Sequence, residues 1–109
     1  MHELGIAMEI AELAVARAGD ARPRRVIVEV GALTAVLPDA LRFAWDAAIE
    51  GTTIEGCALD IVEVRGRGKC TRCGVEQDMD RVFGRCACGT TDLELVAGEE
   101  LRIRELEVI

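Results

Sequence analysis

The chain has few of the side chains that enzymes use for acid–base and nucleophilic chemistry. It contains no serine, and its one histidine is His2, next to the first residue. Carboxylates such as Glu9, Glu12 and Asp46 fall on the polar faces of predicted helices, so they indicate a solvated surface and no catalytic pair. The sequence therefore predicts a protein that is not an enzyme.

Aromatic residues and long apolar runs are also scarce. Only 3% of the 109 residues are aromatic although 50% are apolar, so we expect one modest core of aliphatic side chains and alanine. No apolar run is long enough to cross a bilayer. Glu9 and Glu12 interrupt the apolar residues near the start, which is unlike a signal peptide. We therefore expect a cytoplasmic protein that has no membrane partner.

Positive charge is in the minority. The chain has 13 Lys and Arg against 20 Asp and Glu, and a formal net charge of −7. Binding to nucleic acids and to anionic membranes depends on clustered basic residues, so this balance opposes both. It is compatible with a protein that handles cations, and we expect no nucleic-acid partner.

Four of the five cysteines fall in two close pairs. Cys70 and Cys73 form a CxxC pair, and Cys86 and Cys88 form a CxC pair further along the chain. Two such turns can each deliver two thiolates to a tetrahedral zinc ion. The segment between the pairs has too few large apolar residues for a core, so a metal would have to hold it together. A redox dithiol, a disulfide and an iron–sulfur cluster are the alternatives.

The fifth cysteine, Cys57, starts a predicted strand on the same face as Leu59 and Ile61. We interpret it as a small buried hydrophobic residue. An odd cysteine beside two metal-type pairs fits a reducing compartment better than a disulfide framework.

Hydrophobic periodicity predicts helices over residues 4–18 and 38–50 and strands over 24–31, 57–65, 93–96 and 101–109. The first helix has a broad apolar arc that includes Leu4, Met8, Ala11 and Val15, and we expect it to pack on a sheet and against the second helix. Trp45 of the second helix is expected to fill the core. Residues 66–69 are expected to form a flexible connection. In the last strand the apolar alternation slips near Arg104 and Glu105, where a β-bulge would restore it.

This order of elements predicts an α+β fold, in which a three-stranded sheet carries two helices on one face and a zinc-ribbon-like module is inserted. Residues 1–66 and 98–109 would form the α+β domain. Residues 67–97 would form the inserted module.

The start of the chain offers a second possible metal site. In Met1-His2-Glu3, the α-amine, the His2 amide nitrogen and the His2 imidazole can close a five-membered and a six-membered chelate ring on one ion. The Glu3 amide could supply a fourth nitrogen, and the Glu3 side chain could cap the site. Such a nitrogen-rich tetragonal set suits Ni(II) or Cu(II). The alternative is a terminal histidine that has no metal role.

Taken together, these motifs resemble the HypA/HybF family of nickel metallochaperones for [NiFe]-hydrogenase maturation. The resemblance begins with Met1-His2-Glu3-Leu4 and an amphipathic helix. It continues with residues 26–31 and 38–45 and ends with the cysteine pairs and residues 98–103, so it covers the chain in order. The family usually has CPxCG in its second cysteine turn. This chain has Cys86-Ala87-Cys88-Gly89, which narrows the distance that the two thiolates can span.

The resemblance implies that Met1, His2 and Glu3 bind exchangeable Ni(II), with His2 as the indispensable side chain. It also implies a structural Zn(II) on Cys70, Cys73, Cys86 and Cys88. The implied partners are a HypB-type GTPase, the precursor of the [NiFe]-hydrogenase large subunit and, for some members, urease maturation proteins. A homodimer and a monomer both stay open. The alternative function is a zinc-ribbon interaction module without a nickel role, because the insert is locally basic.

Overall fold

The computed structural model describes residues 2–109. They contain two helices and six strands, joined by turns and loops. The elements are α1 (Glu3–Ala18), β1 (Pro23–Gly31), α2 (Pro38–Ile49), β2 (Ala58–Val64), β3 (Arg67–Cys70), β4 (Glu76–Asp78), β5 (Leu93–Ala97) and β6 (Leu101–Val108). The strands form two three-stranded sheets, in the orders β2-β1-β6 and β4-β3-β5. The predicted α+β fold with a cysteine-bearing insert is confirmed. Among the described residues, no helix is long and apolar enough to cross a membrane.

The core lies between the first sheet and the two helices. β1 is the central strand, parallel to β2 and antiparallel to β6, and its Val26, Val28 and Val30 are fully buried. Trp45 packs above them as predicted, and its indole Nε1–H donates a 2.8 Å hydrogen bond to the carbonyl of Cys57. The Cys57 side chain is buried as well, which confirms its assignment as a core residue.

The bulge predicted in the last strand is confirmed. Ile27 of β1 pairs with Glu105 of β6, and the next residue, Val28, pairs with Ile103, so that Arg104 is the extra residue. The extra residue lets Ile103 and Leu106 both face the helices although they are three positions apart.

The first helix buries less of its apolar arc than the sequence indicates. Ala11 is buried, but Leu4, Met8 and Val15 stay between 43% and 49% exposed. The expectation of contacts with the sheet and with α2 is confirmed. The apolar arc is wider than a three-stranded sheet and one neighbouring helix can cover, so one edge of it faces solvent.

The prediction of a flexible connection at residues 66–69 was wrong. Residues 67–70 form β3, the central strand of the second sheet, which pairs with β4 on one side and β5 on the other. The small size of Gly68 has a packing role, since a Cβ there would lie 3.1 Å from the sulfur of the buried Met79. A sequence rich in glycine and basic residues forms a strand here because two partner strands satisfy its backbone.

The two sheets meet at three glycines, Gly31, Gly66 and Gly98, which we call the glycine joint. A Cβ on Gly98 would lie 2.6 Å from the Cα of Gly66, and a Cβ on Gly31 would overlap the carbonyl of Gly98. Leu33 anchors the joint through a 2.8 Å hydrogen bond from its N–H to the carbonyl of Gly98. The predicted boundaries at 66/67 and 97/98 fall here, and the division into two domains stays a prediction.

Candidate metal centre

The first cysteine turn follows directly from the end of β3. The N–H of Gly74 donates a 3.0 Å hydrogen bond to the carbonyl of Cys70, which closes the turn, and Gly74 has a φ of +78°. The backbone N–H groups of Arg72 and Cys73 each point at the Cys70 sulfur, with nitrogen–sulfur distances of 3.4 Å. Amide dipoles in this arrangement favour a thiolate at Cys70.

The second cysteine turn closes although it is one residue shorter. The N–H of Gly89 donates to the carbonyl of Cys86 at 2.9 Å, and the N–H of Cys86 donates to the carbonyl of Thr90 at 2.9 Å. Gly89 adopts a φ of +99°, a conformation that favours glycine. Arg85 adds a 2.7 Å hydrogen bond from its guanidinium to the Gly89 carbonyl. These contacts hold Cys86 and Cys88 in one compact turn.

The structure brings all four predicted cysteines together. Their sulfur atoms lie within 4.8 Å of one another, with 3.7 Å between Cys70 and Cys88 and 3.6 Å between Cys73 and Cys86. Four ligands at about 2.3 Å from a tetrahedral zinc ion are about 3.8 Å apart, so the sulfur positions fit such an ion. No two of these cysteines are joined in a disulfide. The narrower CxC pair is therefore compatible with a four-thiolate site.

The thiols of Cys70 and Cys86 have very different pKa values in the absence of a cation. Hydrogen bonds from the amides of Cys73 and then Arg72 lower the pKa of Cys70 to about 6. At Cys86 the amide of Cys88 acts to lower the pKa, but burial and the three neighbouring sulfurs outweigh it and raise the pKa to about 12. Four negative sulfurs at this spacing require a positive ion, and a bound metal would release the protons that remain.

The locally basic character of the insert is largely compensated. Residues 67–97 contain five basic and five acidic side chains, so the whole formal charge of −7 belongs to the rest of the chain. Arg67 lies 2.8 Å from Asp78, and Arg81 lies 3.4 Å from Asp80. This compensation argues against nucleic acid as the ligand of the insert.

Of the predicted nickel residues, His2 and Glu3 lie at the start of α1 and are not part of the cysteine cluster. Met1 is outside the described residues. His2 is exposed and precedes the first helical residue, and its carbonyl accepts a 3.2 Å hydrogen bond from the N–H of Ile6. Within residues 2–109, the His2 imidazole forms no hydrogen bond, and the four cysteines are the one cluster whose ligand atoms could share a metal ion.

The structure adds Leu37, a residue that sequence reasoning missed, to the surroundings of Glu3. The Glu3 carboxylate accepts a 3.2 Å hydrogen bond from the backbone N–H of Leu37, the residue before α2. This bond, followed by one from the Glu3 amide, lowers the pKa of the Glu3 carboxyl below its ordinary value. The two residues are 34 positions apart, and no local pattern in the sequence indicates their contact. The loop that contains Leu37 also contains Leu33, whose N–H donates to the carbonyl of Gly98 in the glycine joint.

Comparisons with known proteins agree along the whole chain. The HypA family model, described as hydrogenase/urease nickel incorporation, metallochaperone, matches residues 1–108. A hydrogenase maturation factor HypA from Nostoc punctiforme is 44% identical over 108 residues, which are 99% of this chain and 96% of that protein. Another, from Geobacter metallireducens, is 43% identical over 109 residues, with 99% of each chain covered.

The fold is also that of a solved structure. The solution structure of the Ni metallochaperone HypA from Helicobacter pylori superposes with a TM-score of 0.71 and covers 100% of this chain and 98% of that one. The sequence identity is 24%, so this likeness bears on the fold alone.

Proposed function

The chain belongs to the HypA family of hydrogenase and urease nickel-incorporation metallochaperones, and from this membership we propose that it binds Ni(II) at its N-terminus and delivers it for maturation of [NiFe] hydrogenase. The observation that carries the proposal is the family match over residues 1–108. The exposed position of His2, directly before a helix, supports it. Such a protein carries a metal ion and catalyses no reaction of its own.

The proposed nickel ligands are nitrogens at the start of α1. The first N–H groups of a helix have no acceptor inside the helix, so the amides of His2 and Glu3 can give up their protons without breaking a helical hydrogen bond. The His2 imidazole is exposed and can turn towards the same ion. Nickel accepts this set of amine, amide and imidazole nitrogens, whereas zinc does not readily displace an amide proton. Few anchored ligands also permit release, which a carrier requires.

The second metal is proposed to be a structural Zn(II) on Cys70, Cys73, Cys86 and Cys88. The sulfur–sulfur distances of 3.6 and 3.7 Å suit a tetrahedral ion and leave no coordination position for a substrate. When bound, zinc supplies cross-links between β3 and the second cysteine turn. The chain's own amides at Arg72 and Cys73 hold the Cys70 sulfur in place for it.

The proposed partners follow from the delivery of nickel in the cytoplasm. They are a HypB-type GTPase and the precursor of the [NiFe]-hydrogenase large subunit, with urease maturation proteins as further candidates. The family description, hydrogenase/urease nickel incorporation, supports both kinds of recipient. The compensated charge of the insert supports protein partners over nucleic acid.

The nickel assignment predicts that His2→Ala, or acetylation of the α-amine, weakens Ni(II) binding by roughly 100-fold or more, because either change removes a nitrogen ligand and opens a chelate ring. The measurement is calorimetric titration of Ni(II) into untagged, zinc-loaded protein with its native Met1. Zinc analysis should still give one ion per chain in both variants. Nickel affinity that is unchanged in either variant would refute the N-terminal site.

The contact between Glu3 and Leu37 predicts a difference between two substitutions of one residue. Leu37→Pro and Leu37→Ala both remove an exposed leucine side chain. Only proline also removes the backbone N–H that donates a hydrogen bond to the Glu3 carboxylate. In the proline variant we expect the pKa of the Glu3 carboxyl to rise towards its ordinary value, because the hydrogen bond from the Leu37 amide is lost. We also expect Ni(II) affinity to fall roughly two- to fivefold, because the carboxylate that would cap the proposed site is no longer held in place.

Carbon-13 NMR of the Glu3 carboxyl over a pH titration, with nickel calorimetry, checks this prediction. The alanine variant should match the parent protein in both measurements. Equal pKa values in the two variants would contradict the contact, whatever their nickel affinities.

A further inference from the structure

A groove runs along the helical face of the molecule, between α1 and the end of α2. Met8, Ala11 and Val15 of α1 form one side, and Ala48 of α2 and Ile54 of the following turn form the other. The cavity has a volume of about 320 Å³, which is enough for one or two large aliphatic side chains. We call it the α1–α2 groove.

Two of the apolar residues that the first helix leaves exposed, Met8 and Val15, line the groove. Met8 is 49% exposed and Val15 43% exposed, and both lie on the flank of α1 that borders the groove. The uncovered face of the first sheet is different, because it carries cross-strand ion pairs between Arg25 and Asp60 at 2.7 Å and between Arg102 and Glu29 at 2.8 Å. Contiguous apolar surface of this kind marks a docking site more often than scattered exposed side chains do.

The surroundings of the groove are acidic. Glu12 lines it, and a second cleft of about 480 Å³ on the other side of α2 is lined by Asp46, Glu50 and Glu55. No basic residue lines either cavity in the part of the chain that the structure describes. The surface potential therefore selects a partner segment that combines apolar and positively charged side chains.

The backbone around the groove leaves an occupant nothing to pair with. α1 and α2 are helices, whose backbone groups are paired internally. In the turn after α2, the N–H groups of Thr52 and Cys57 donate to the carbonyls of Ile49 and Ile54, at 3.0 and 2.9 Å. An extended segment would bury its own N–H and C=O groups against these walls without partners. A helix satisfies its backbone internally and can place side chains at positions i, i+3 and i+7 along the groove.

A second copy of this chain is a poor occupant. Its helices α1 and α2 each contain a single basic residue, Arg17 and Arg42, and their surfaces are acidic. Two such faces would bring like charges together across the contact.

We propose that the α1–α2 groove docks a Lys- and Arg-rich amphipathic helix of a partner protein, and that the helix seats a large apolar side chain between Val15 and Ala48. The apolar floor would supply most of the affinity. The carboxylates around it would steer the helix and set its orientation. This interaction does not require nickel, so it can succeed or fail independently of the proposed N-terminal site.

The test uses the full-length, zinc-loaded chain and two synthetic helical peptides of equal length. Both carry leucine at positions i, i+3, i+4 and i+7, and the other positions are Lys and Arg in one peptide and Glu in the other. Fluorescence anisotropy measures affinity, and amide chemical shifts map the contact. We expect the basic peptide to bind, to shift the amides of Met8, Val15, Ala48 and Ile54, and to bind less tightly as salt increases.

Val15→Arg and Leu13→Arg provide a matched pair. Val15 and Leu13 are both exposed aliphatic residues of α1, and each change adds one positive charge. Only Val15 lines the groove. Val15→Arg should lower the affinity for the basic peptide at least tenfold, and Leu13→Arg should lower it less than twofold. The proposal is overturned if both variants weaken binding equally, if the acidic peptide binds as tightly, or if the amide shifts fall outside the groove.

Discussion

Replacement of Cys86 by serine is expected to release the metal that we propose at the cysteine cluster and to unfold residues 67–97, while the sheet β2-β1-β6 stays folded. Besides Cys70 and Cys86, Met79 is the one buried hydrophobic side chain of that segment, so its second sheet has almost no core of its own. Structural zinc contributes about 10–16 kcal/mol to folding in small modules, and one of four thiolates carries roughly a quarter of this. A loss of that size exceeds what a few cross-strand hydrogen bonds can offset.

Hydrogen exchange and metal analysis check this prediction. The amides of β3, β4 and β5 should lose protection in Cys86→Ser, whereas those of β1 should keep it. Removal of the metal from the parent protein with a chelator should give the same pattern. Cys57→Ala is the control, because it removes a buried thiol that lies outside the cluster. Zinc retained at one ion per chain in the serine variant would contradict the assignment of Cys86 as a ligand.

Gly98→Ala is expected to lower the free energy of unfolding by about 3–5 kcal/mol. This loss has two causes, the positive φ that alanine rarely adopts and a steric clash of the added Cβ. Gly98 has a φ of +109°, and a Cβ there would lie 2.6 Å from the Cα of Gly66 and 3.0 Å from Leu33 Cδ1. The contact on the Gly66 side is with backbone, so no rotation of a side chain relieves it. The strands that enter and leave the second sheet would have to separate.

Gly51→Ala separates the two contributions. Gly51 also has a positive φ, +74°, but no atom lies within 4 Å of a Cβ built there, so this variant should lose only about 1 kcal/mol. Urea denaturation of the zinc-loaded proteins measures both values. If the two variants are equally destabilised, the glycine joint is not tightly packed. A changed amide spectrum for residues near Leu33 in Gly98→Ala alone would show that the joint has opened.

Much of the secondary structure could be predicted because local chemistry decides it. The alternation of apolar residues places β1 and β2, and the period of α2 places Trp45 in the core. Even the bulge at Arg104 is visible, because a strand that has one covered face cannot change its apolar phase without an extra residue. The cysteine spacing likewise indicates the four-sulfur cluster, since each pair closes its own short turn.

Other features depend on pairings between distant residues. Strand β3 could not be predicted, because Gly66-Arg67-Gly68-Lys69 has no strand propensity and its pairing with β4 and β5 supplies the stability. The contact of Glu3 with Leu37 joins residues that have no relation in the local pattern.

The sequence by itself determined the two helices, the first sheet and the identity of the four clustered cysteines, because periodicity, turn residues and ligand chemistry act over short distances. Only the tertiary structure decided which apolar side chains stay exposed, that Gly31, Gly66 and Gly98 meet in one joint, and that the start of α1 contacts the loop before α2. Packing made the difference, because a side chain is covered or left exposed by whichever element lies beside it. For that reason Met8 and Val15 line a groove, although their spacing is that of core residues.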